Sequence, residues 1–308
     1  MESVQSGIFN YTKLDDNRAE FCVISDLHIG NDASPKCAGR NDYVFSSDGN
    51  PLSGEAYTLK RFCDKIIISG KQGLFNDNKH MLVLLGDVIN GEYGYTSCYY
   101  SYAYRLLLSS IEPWLYTSNI IYVAGNHDKD AKFFSDVAGF PRLSLVETVK
   151  YNTREDNMFS RCGIIFEHGH KFDYLCSGKN FLGLMGTFAS DIVANVCSPD
   201  LEDLLRGRDY YTDQSSDNKV NQKPKQVTLD SLNSEDRRVA NGALDFISKQ
   251  PRIYHTIICG HTHQTPVEII ADNSGRILTY YNTGKFARGN VLNVLVEQDK
   301  FGRWRLIG

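Results

Sequence analysis

The chain reads FCVISDLH at residues 21–28, and this stretch carries the first information on the fold. Its first four residues are apolar, which predicts a short strand covered on both faces, as in the centre of an α/β protein. Asp26 and His28 follow directly after that strand. Because ligands of open α/β sheets bind beyond the carboxyl ends of the strands, we expect these two side chains to lie in a functional site.

The same arrangement recurs along the chain. Further apolar runs of strand length occupy residues 81–85, 120–124, 163–166 and 256–259. They lead into GDVIN at residues 86–90, GNHD at 125–128, EHGH at 167–170 and GHTH at 260–263. Every run therefore delivers Asp, Asn or His, and the ends of these strands are predicted to converge on one site.

The pattern between these runs predicts an α/β core. Residues 57–69 and 102–115 have helical spacing of their apolar positions, and residues 277–281, 291–297 and 304–307 are typical of closing strands. We expect a single domain over residues 1–308 with a long loop at residues 31–54. Residues 171–250 are predicted to be an insertion with an apolar helical part, which forms either a lid or an ordinary packed subdomain.

Composition limits the classes of partner. The net charge is −4, so the overall balance does not attract a phosphate backbone, and we expect no nucleic-acid partner. The eight cysteines are scattered without a CxxC pair, which is typical of reduced thiols in a cytoplasmic protein. Residues 1–16 lack the apolar stretch of a secretory signal, and no segment approaches the roughly 20 apolar residues of a transmembrane segment, so we expect a cytoplasmic protein. The oligomeric state is left open.

The strand-ending residues include a set of candidate metal ligands. They are Asp26, His28, Asp87, Asn126, His168, His261 and His263. This set is too large for one tetrahedral ion and contains no cysteine, which disfavours a structural zinc site. Carboxylate, amide and imidazole donors together suit two divalent ions such as Mn²⁺, Fe or Zn²⁺, and Mn²⁺ is our expectation. Two such ions are a recurring device for displacement at phosphorus.

The spacing within the motifs indicates how the side chains are presented. In DLH and in HTH the polar residues are two positions apart, so an extended backbone would direct both side chains of a pair to the same side. Leu27 and Thr262 would then point away. The glycines that precede Asp87, Asn126 and His261 are expected at sharp turns or close backbone approaches.

The motifs in this order resemble those of the calcineurin-like metallophosphoesterases, over about residues 20–172 and 253–308. The resemblance implies a four-layer αββα sandwich and a hydrolase for phosphoester or pyrophosphate bonds. It further implies one metal on Asp26, His28, Asp87 and His263, and a second on Asp87, Asn126, His168 and His261. A metal-bound hydroxide would attack phosphorus in line, His127 would stabilise the phosphoryl group or protonate the leaving oxygen, and Asp128 would orient His127.

A narrower resemblance rests on EHGHKFD at residues 167–173, the apolar insertion and YYNTG at residues 280–284. These features look like the branch that contains the UDP-2,3-diacylglucosamine pyrophosphatases, in which the insertion covers the substrate. His170 and Asn90 occupy positions where relatives often carry acidic residues. His170, Asn90 and Arg40 are candidate substrate contacts, although a surface or structural role is an alternative for each.

The expected substrate is a small phosphodiester or pyrophosphate, nucleotide- or lipid-linked. The resemblance disfavours a phosphoprotein substrate, because protein phosphatases of this class normally have additional arginine motifs and GNHE where this chain has GNHD at residues 125–128. A non-catalytic scaffold of the same fold would typically lose ligands or the motif histidine, and this chain retains both. A nuclease is disfavoured by the acidic balance, although a local basic patch would be compatible with one.

Overall fold

The computed structural model describes the parts of the chain that surround the predicted site. These are residues 7–11, 18–29, 43–71, 80–89, 101–115, 120–123, 125–126, 128, 145–146, 148–153, 163–173, 224–262, 267–273, 275–286, 292–298 and 304–307. Most of the predicted insertion, residues 174–223, lies outside them. The prediction that this segment forms a lid therefore stays a prediction.

The described part of the chain contains three α-helices and thirteen strands. The helices are α1 (Gly54–Lys71), α2 (Tyr102–Leu115) and α3 (Ser234–Ser248). The strands are β1 (Gly7–Tyr11), β2 (Arg18–Ile24), β3 (His80–Leu85), β4 (Ile120–Val123), β5 (Leu145–Val146), β6 (Thr148–Thr153), β7 (Gly163–Glu167), β8 (Lys225–Gln226), β9 (Tyr254–Cys259), β10 (Val267–Asn273), β11 (Arg276–Asn282), β12 (Leu292–Gln298) and β13 (Trp304–Ile307).

The strands form two sheets. A six-stranded sheet has the order β13-β12-β2-β3-β4-β5, and a seven-stranded sheet has the order β1-β6-β7-β9-β11-β10-β8. Strands β2, β3 and β4 are parallel neighbours, and so are β7 and β9. The carboxyl ends of the strands that carry the motifs therefore lie at a common edge of each sheet.

Alternating side chains of β2 show that the six-stranded sheet is covered on both faces. Cys22 and Ile24 pack in a core cluster that includes Leu59 of α1 and Leu107 of α2. Phe21, on the opposite face, meets Phe166 of β7 with ring centroids 5.3 Å apart. Because β7 belongs to the other sheet, this contact joins the two sheets face to face.

The outer face of the seven-stranded sheet is covered by α3. Ile257 and Cys259 of β9 pack with Ala243 and Ile247 of this helix. The described elements thus form layers of helix, sheet, sheet and helix, which confirms the predicted α/β sandwich. Helix α3 comes from the C-terminal part of the stretch predicted as an insertion, and it lies on the core.

Helix α3 has a defined start. The side chain of Asn233, the residue before the helix, accepts hydrogen bonds from the backbone N–H groups of Glu235 and Asp236. These two acidic residues in the first turn also complement the positive end of the helix dipole. No helix in the described part of the chain combines the length and apolar composition needed to cross a bilayer.

Candidate metal centre

The motifs after β2 and β3 remain paired beyond the ends of their strands. The backbone N–H of Asp26 donates to Gly86 O at 3.1 Å, and the N–H of His28 donates to Asp87 O at 2.9 Å. The next bond, from Ile29 N–H to Val88 O, is 3.0 Å long. These bonds hold the DLH and GDV segments side by side, so that their side chains enter the same space.

The backbone of these segments is not extended, contrary to the expectation from the spacing. Asp26, His28 and Asp87 have φ values of 54°, 49° and 52°, and His261 has 75°. This left-handed region is uncommon for residues other than glycine, and unusual backbone of this kind concentrates at functional sites. The side chains are therefore directed by tight left-handed turns and not by strand alternation. Leu27, between the two ligand candidates, is buried in the core cluster.

Two groups of side chains could each hold a cation, and they share Asp87. One group is Asp26, His28 and Asp87, and the other is Asp87, His168 and His261; within each, the candidate ligand atoms lie within 4.8 Å of one another. Asp87 Oδ2 is 3.8 Å from His28 Nε2 and 3.2 Å from His168 Nε2. This carboxylate therefore belongs to both groups and lies between them.

The candidate ligands are buried, as expected for side chains that bind divalent cations. Asp26 and Asp87 are at most 1% exposed, and the His168 side chain is fully buried. Like charges buried together are costly unless a cation compensates for them. Asn126 Oδ1 is also buried and has no hydrogen-bond partner among the described residues, as expected for an amide oxygen held for a metal. Oxygen and imidazole donors of this kind suit Mn²⁺, Fe or Zn²⁺.

The ring of His168 is oriented by the backbone of β3. Its Nδ1 lies 2.8 Å from Leu85 O, so the Nδ1–H can donate to this carbonyl and leave Nε2 directed towards Asp87. Burial lowers the pKa of His168, but the adjacent carboxylates of Asp87 and Asp26 outweigh it and raise the pKa to about 10. The site therefore has a strong attraction for positive charge at this position.

Two glycines make room for these side chains, as predicted. A Cβ on Gly86, whose φ is 81°, would overlap the His168 ring. A Cβ on Gly260 would overlap the side chains of Ser25 and Asp26. Each glycine therefore allows the backbone of one motif to approach the ligands of another.

Asp128 ties two motifs together through the backbone. Its buried carboxylate accepts hydrogen bonds from the N–H groups of Asp87 at 2.6 Å, Val88 at 3.1 Å and Gly125 at 2.9 Å. Burial and the nearby Asp87 charge raise the pKa of Asp128, whereas its hydrogen bonds favour the ionised form. Asp128 therefore has a scaffold role within the site, because it holds the backbones of the GDV and GNHD motifs together. The orientation of His127 by Asp128 stays a prediction.

His170 lies beside the metal-ligand candidates. Its ring centroid is 5.5 Å from that of His168, and its Nδ1 is buried without a hydrogen-bond partner among the described residues. Burial, together with the charges of His168 and His261, lowers the pKa of His170 to about 3, which favours a neutral imidazole. A substrate contact for His170 stays a prediction.

Several residues that hold the motifs in place are not predicted from the sequence. Ser25 Oγ lies 2.6 Å from Thr283 Oγ1, and Asp26 Oδ2 accepts from the His261 backbone N–H at 2.9 Å. Asn282 Nδ2 donates to Gly260 O at 3.1 Å and to Thr262 Oγ1 at 2.9 Å. The string YYNTG at residues 280–284 was the available signal, because its polar residues end an apolar strand.

Other predicted site residues lie outside the described part of the chain. They are His127, His263, Asn90 and Arg40. Their assigned roles stay predictions.

A model of the calcineurin-like phosphoesterase family matches residues 19–265. The chain belongs to this family, and it is a metal-dependent phosphoester hydrolase. The match confirms the resemblance of the motifs, but it does not confirm the narrower resemblance to the UDP-2,3-diacylglucosamine pyrophosphatases.

No curated protein matches the chain. Similar solved structures include a dimetal phosphatase from Danio rerio, at 9% identity and a TM-score of 0.43, covering 94% of this chain and 98% of that one. A 5'-nucleotidase precursor from Thermus thermophilus matches at 13% identity and a TM-score of 0.38, covering 94% and 54%. The NAD nucleotidase of Haemophilus influenzae matches at 10% identity and 0.37, covering 94% and 49%. The chain thus spans about half the length of the latter two, and the family assignment rests on the family model.

Proposed function

We propose that this chain hydrolyses a small phosphodiester or pyrophosphate with two divalent ions held by its strand-ending motifs. The observation that carries the proposal is the position of Asp87, which belongs to both groups of candidate ligands. A single carboxylate shared by two groups is what a two-metal site needs, and such sites act on phosphoryl substrates.

Each proposed ligand set combines residues that follow strands of both sheets. Asp26, His28 and Asp87, together with His263, would hold the first ion. Asp87, Asn126, His168 and His261 would hold the second. Once bound, the ions would supply a nucleophile at neutral pH and neutralise charge on the phosphoryl oxygens. We assign Mn²⁺ as the preferred metal, since this set combines oxygen and nitrogen donors and lacks thiolates.

His127 is proposed to act on the substrate and not on the metal. It follows Asn126 directly, so the same turn that presents the amide oxygen would present this imidazole at the site. A positioned imidazole stabilises charge on the phosphoryl oxygens or protonates the leaving oxygen. His127→Gln should therefore lower kcat by about 10²- to 10⁴-fold and leave metal content unchanged.

Hydrolysis of bis-p-nitrophenyl phosphate tests the proposal. The protein is stripped with chelator and assayed with added Mn²⁺, Zn²⁺ or Fe²⁺, and metal content is measured in parallel. We expect metal-dependent turnover that falls by more than about 10²-fold in Asp87→Asn. Asp64→Asn is the matched control, because Asp64 is an exposed carboxylate of helix α1 paired with Lys60. Absence of turnover and of bound metal under all conditions would leave a scaffold role instead.

The substrate class is tested by comparing four substrates with the Mn²⁺ enzyme. These are bis-p-nitrophenyl phosphate, a nucleotide sugar with a pyrophosphate bond, a phosphopeptide and single-stranded DNA. We expect higher kcat/KM for the first two. A preference for the phosphopeptide would support a protein phosphatase, and a preference for DNA with a steep salt dependence would support a nuclease.

A further inference from the structure

Asp173 is a buried carboxylate next to a candidate metal ligand. It follows a short 3-10 turn, His170–Phe172, and is only 1% exposed. Its Oδ2 lies 3.3 Å from Nε2 of His261. The two residues are far apart in sequence, so only the packing of the chain brings this carboxylate to this imidazole.

The contact determines which nitrogen of His261 remains available. An ionised carboxylate can only accept a hydrogen bond, so the His261 tautomer that fits this contact carries its proton on Nε2. The neutral ring then has its lone pair on Nδ1. A ring nitrogen of His261 also lies within 4.8 Å of the candidate ligand atoms of Asp87 and His168. The rings of His261 and His168 have a centroid distance of 5.3 Å. Nδ1 is therefore the atom that this arrangement leaves for a metal.

We propose that Asp173 is a positioning residue that accepts a hydrogen bond from Nε2–H of His261 and so holds Nδ1 ready to bind the second metal. This inference rests on the proposed two-metal function. Carboxylate partners of this kind fix the ring orientation and tautomer of metal-bound histidines, and they make the imidazole a better donor.

Asp173 itself is poorly suited to be a ligand, because its other oxygen lies beside a cation of the protein. Arg238 Nη2 is 3.9 Å from Asp173 Oδ1. Arg238 belongs to helix α3, so the carboxylate lies between a guanidinium and an imidazole. This guanidinium compensates for the buried charge and disfavours a metal ion at the same oxygen.

Helix α3 also holds the turn that carries Asp173. Lys171 Nζ lies 4.5 Å from the ring centroid of Phe246, and the rings of Phe172 and Phe246 are 5.6 Å apart. At Gly242 an added Cβ would come within 2.9 Å of the Phe172 Cβ, so helix and turn are in close contact. The position of Asp173 is therefore fixed by packing, as the positioning of a metal ligand requires.

The first experiment measures metal affinity. Chelator-treated wild type, Asp173→Asn and Asp173→Ala are titrated with Mn²⁺ and with Zn²⁺ by calorimetry. We expect two binding sites in the wild type and an affinity of one site lowered by about 10- to 100-fold in both variants. Asp245→Asn, on an exposed position of helix α3, is the matched control and should bind both ions normally.

The titrations distinguish failure of the proposed two-metal function from failure of the role of Asp173. A wild type that binds neither metal overturns the two-metal function together with this inference. A wild type with two sites, and variants within about threefold of it, overturns only the role of Asp173. Thermal unfolding in EDTA reports whether the variants fold, since a positioning role predicts a larger change in metal affinity than in metal-free stability.

A second measurement does not depend on the variants. Wild type is labelled with ¹⁵N-histidine, and His261 is assigned by the loss of its signals in His261→Gln. We expect that Zn²⁺ shifts the Nδ1 resonance of His261 and leaves the Nε2–H proton in place. Displacement of the Nε2 proton by Zn²⁺ would show that Asp173 is not its acceptor and would overturn the proposal.

Discussion

At the scale of the residue, the site is built from strained backbone. Asp26, His28, Asp87 and His261 are the non-glycine residues with positive φ in the described part of the chain. Each left-handed residue costs about 1–2 kcal/mol, and all of these are candidate ligands. The fold therefore accepts strain at the positions where side chains must converge, and this strain is compensated by the buried strands on which the motifs lie.

Gly86 lies so close to the ring of His168 that a larger residue at this position should disturb this candidate ligand. Gly86→Ala should lower kcat/KM by about 10²-fold, because the new Cβ would displace the His168 ring. The measurement is hydrolysis of bis-p-nitrophenyl phosphate with Mn²⁺, together with metal content. Gly275→Ala is the matched control: its φ of 78° imposes similar backbone strain, but nothing lies within 4 Å of the added Cβ. Equal activity loss in both variants would mean that strain alone is responsible.

Asp128 supports a second prediction. Asp128→Asn should destabilise the protein by about 2–4 kcal/mol. Both oxygens of the Asp128 carboxylate accept backbone N–H groups, whereas asparagine has one oxygen that can accept and an amide nitrogen that cannot. Urea denaturation in EDTA measures this change. Asp64→Asn, in an exposed pair, should change the free energy of unfolding by less than about 0.5 kcal/mol. An equally small effect of Asp128→Asn would contradict the scaffold role.

At the scale of the element, helix α3 is attached to the sheet at its C-terminal end by Arg276 of β11. The guanidinium donates to the backbone oxygens of Ser248 and Gln250, each at 3.1 Å, and to those of Pro251 and Tyr254. A fixed fork of donors satisfies carbonyls at the end of the helix that have no partner within it. The helix that supports Asp173 is thereby joined to strands β9 and β11.

We expect Arg276→Lys to destabilise the protein by about 1–3 kcal/mol, although the charge is retained. A lysine ammonium cannot match the planar fork, so some of these carbonyls lose their donor. Arg252→Lys is the control, because Arg252 lies on the same connection but is exposed. Thermal unfolding measured by circular dichroism provides the comparison, and an unchanged Tm in Arg276→Lys would argue that the fork is dispensable.

At the scale of the whole molecule, the candidate centre joins the two sheets. Asp26 and Asp87 follow strands of the six-stranded sheet, whereas His168 and His261 follow strands of the seven-stranded sheet. Ions bound there would link the layers, because a ligand that binds only the folded state stabilises it by mass action. The site is thus also a connection between the halves of the sandwich.

The pH dependence of stability is a further property of the whole molecule. Burial and the charge of Arg276 lower the pKa of His255 below its ordinary 6.5. Below about pH 6.5, His255 therefore binds a proton in the unfolded chain more readily than in the folded chain. The stability that neutral His255 contributes is present above about pH 6.5 and is lost as the pH falls, by up to about 1.4 kcal/mol per pH unit. His255→Gln should reduce this slope in urea denaturation at pH 5 to 7 in EDTA. An unchanged slope would exclude His255 as its source.

Local patterning was sufficient for the central elements. The apolar runs that precede the motifs are strands β2, β3, β4, β7 and β9, and the helical spacing at residues 102–115 corresponds to α2. Strands that depend on distant partners were missed: β1 pairs with β6, and β8 has only the residues Lys225–Gln226. Strand β8 is too short and too exposed to leave a periodic signal, and the pairing of β1 with β6 joins segments that are distant in the chain.

The sequence by itself determined the class of site, because residue type, order and position after apolar runs are local properties. The tertiary structure decided how these residues are presented. The left-handed turns at Asp26 and Asp87, the Asp128 bonds to a neighbouring motif, and the approach of Asp173 to His261 all depend on segments that are distant in the chain. Such contacts form only when the sheets pack, since no periodicity of residues encodes which side chain meets which backbone.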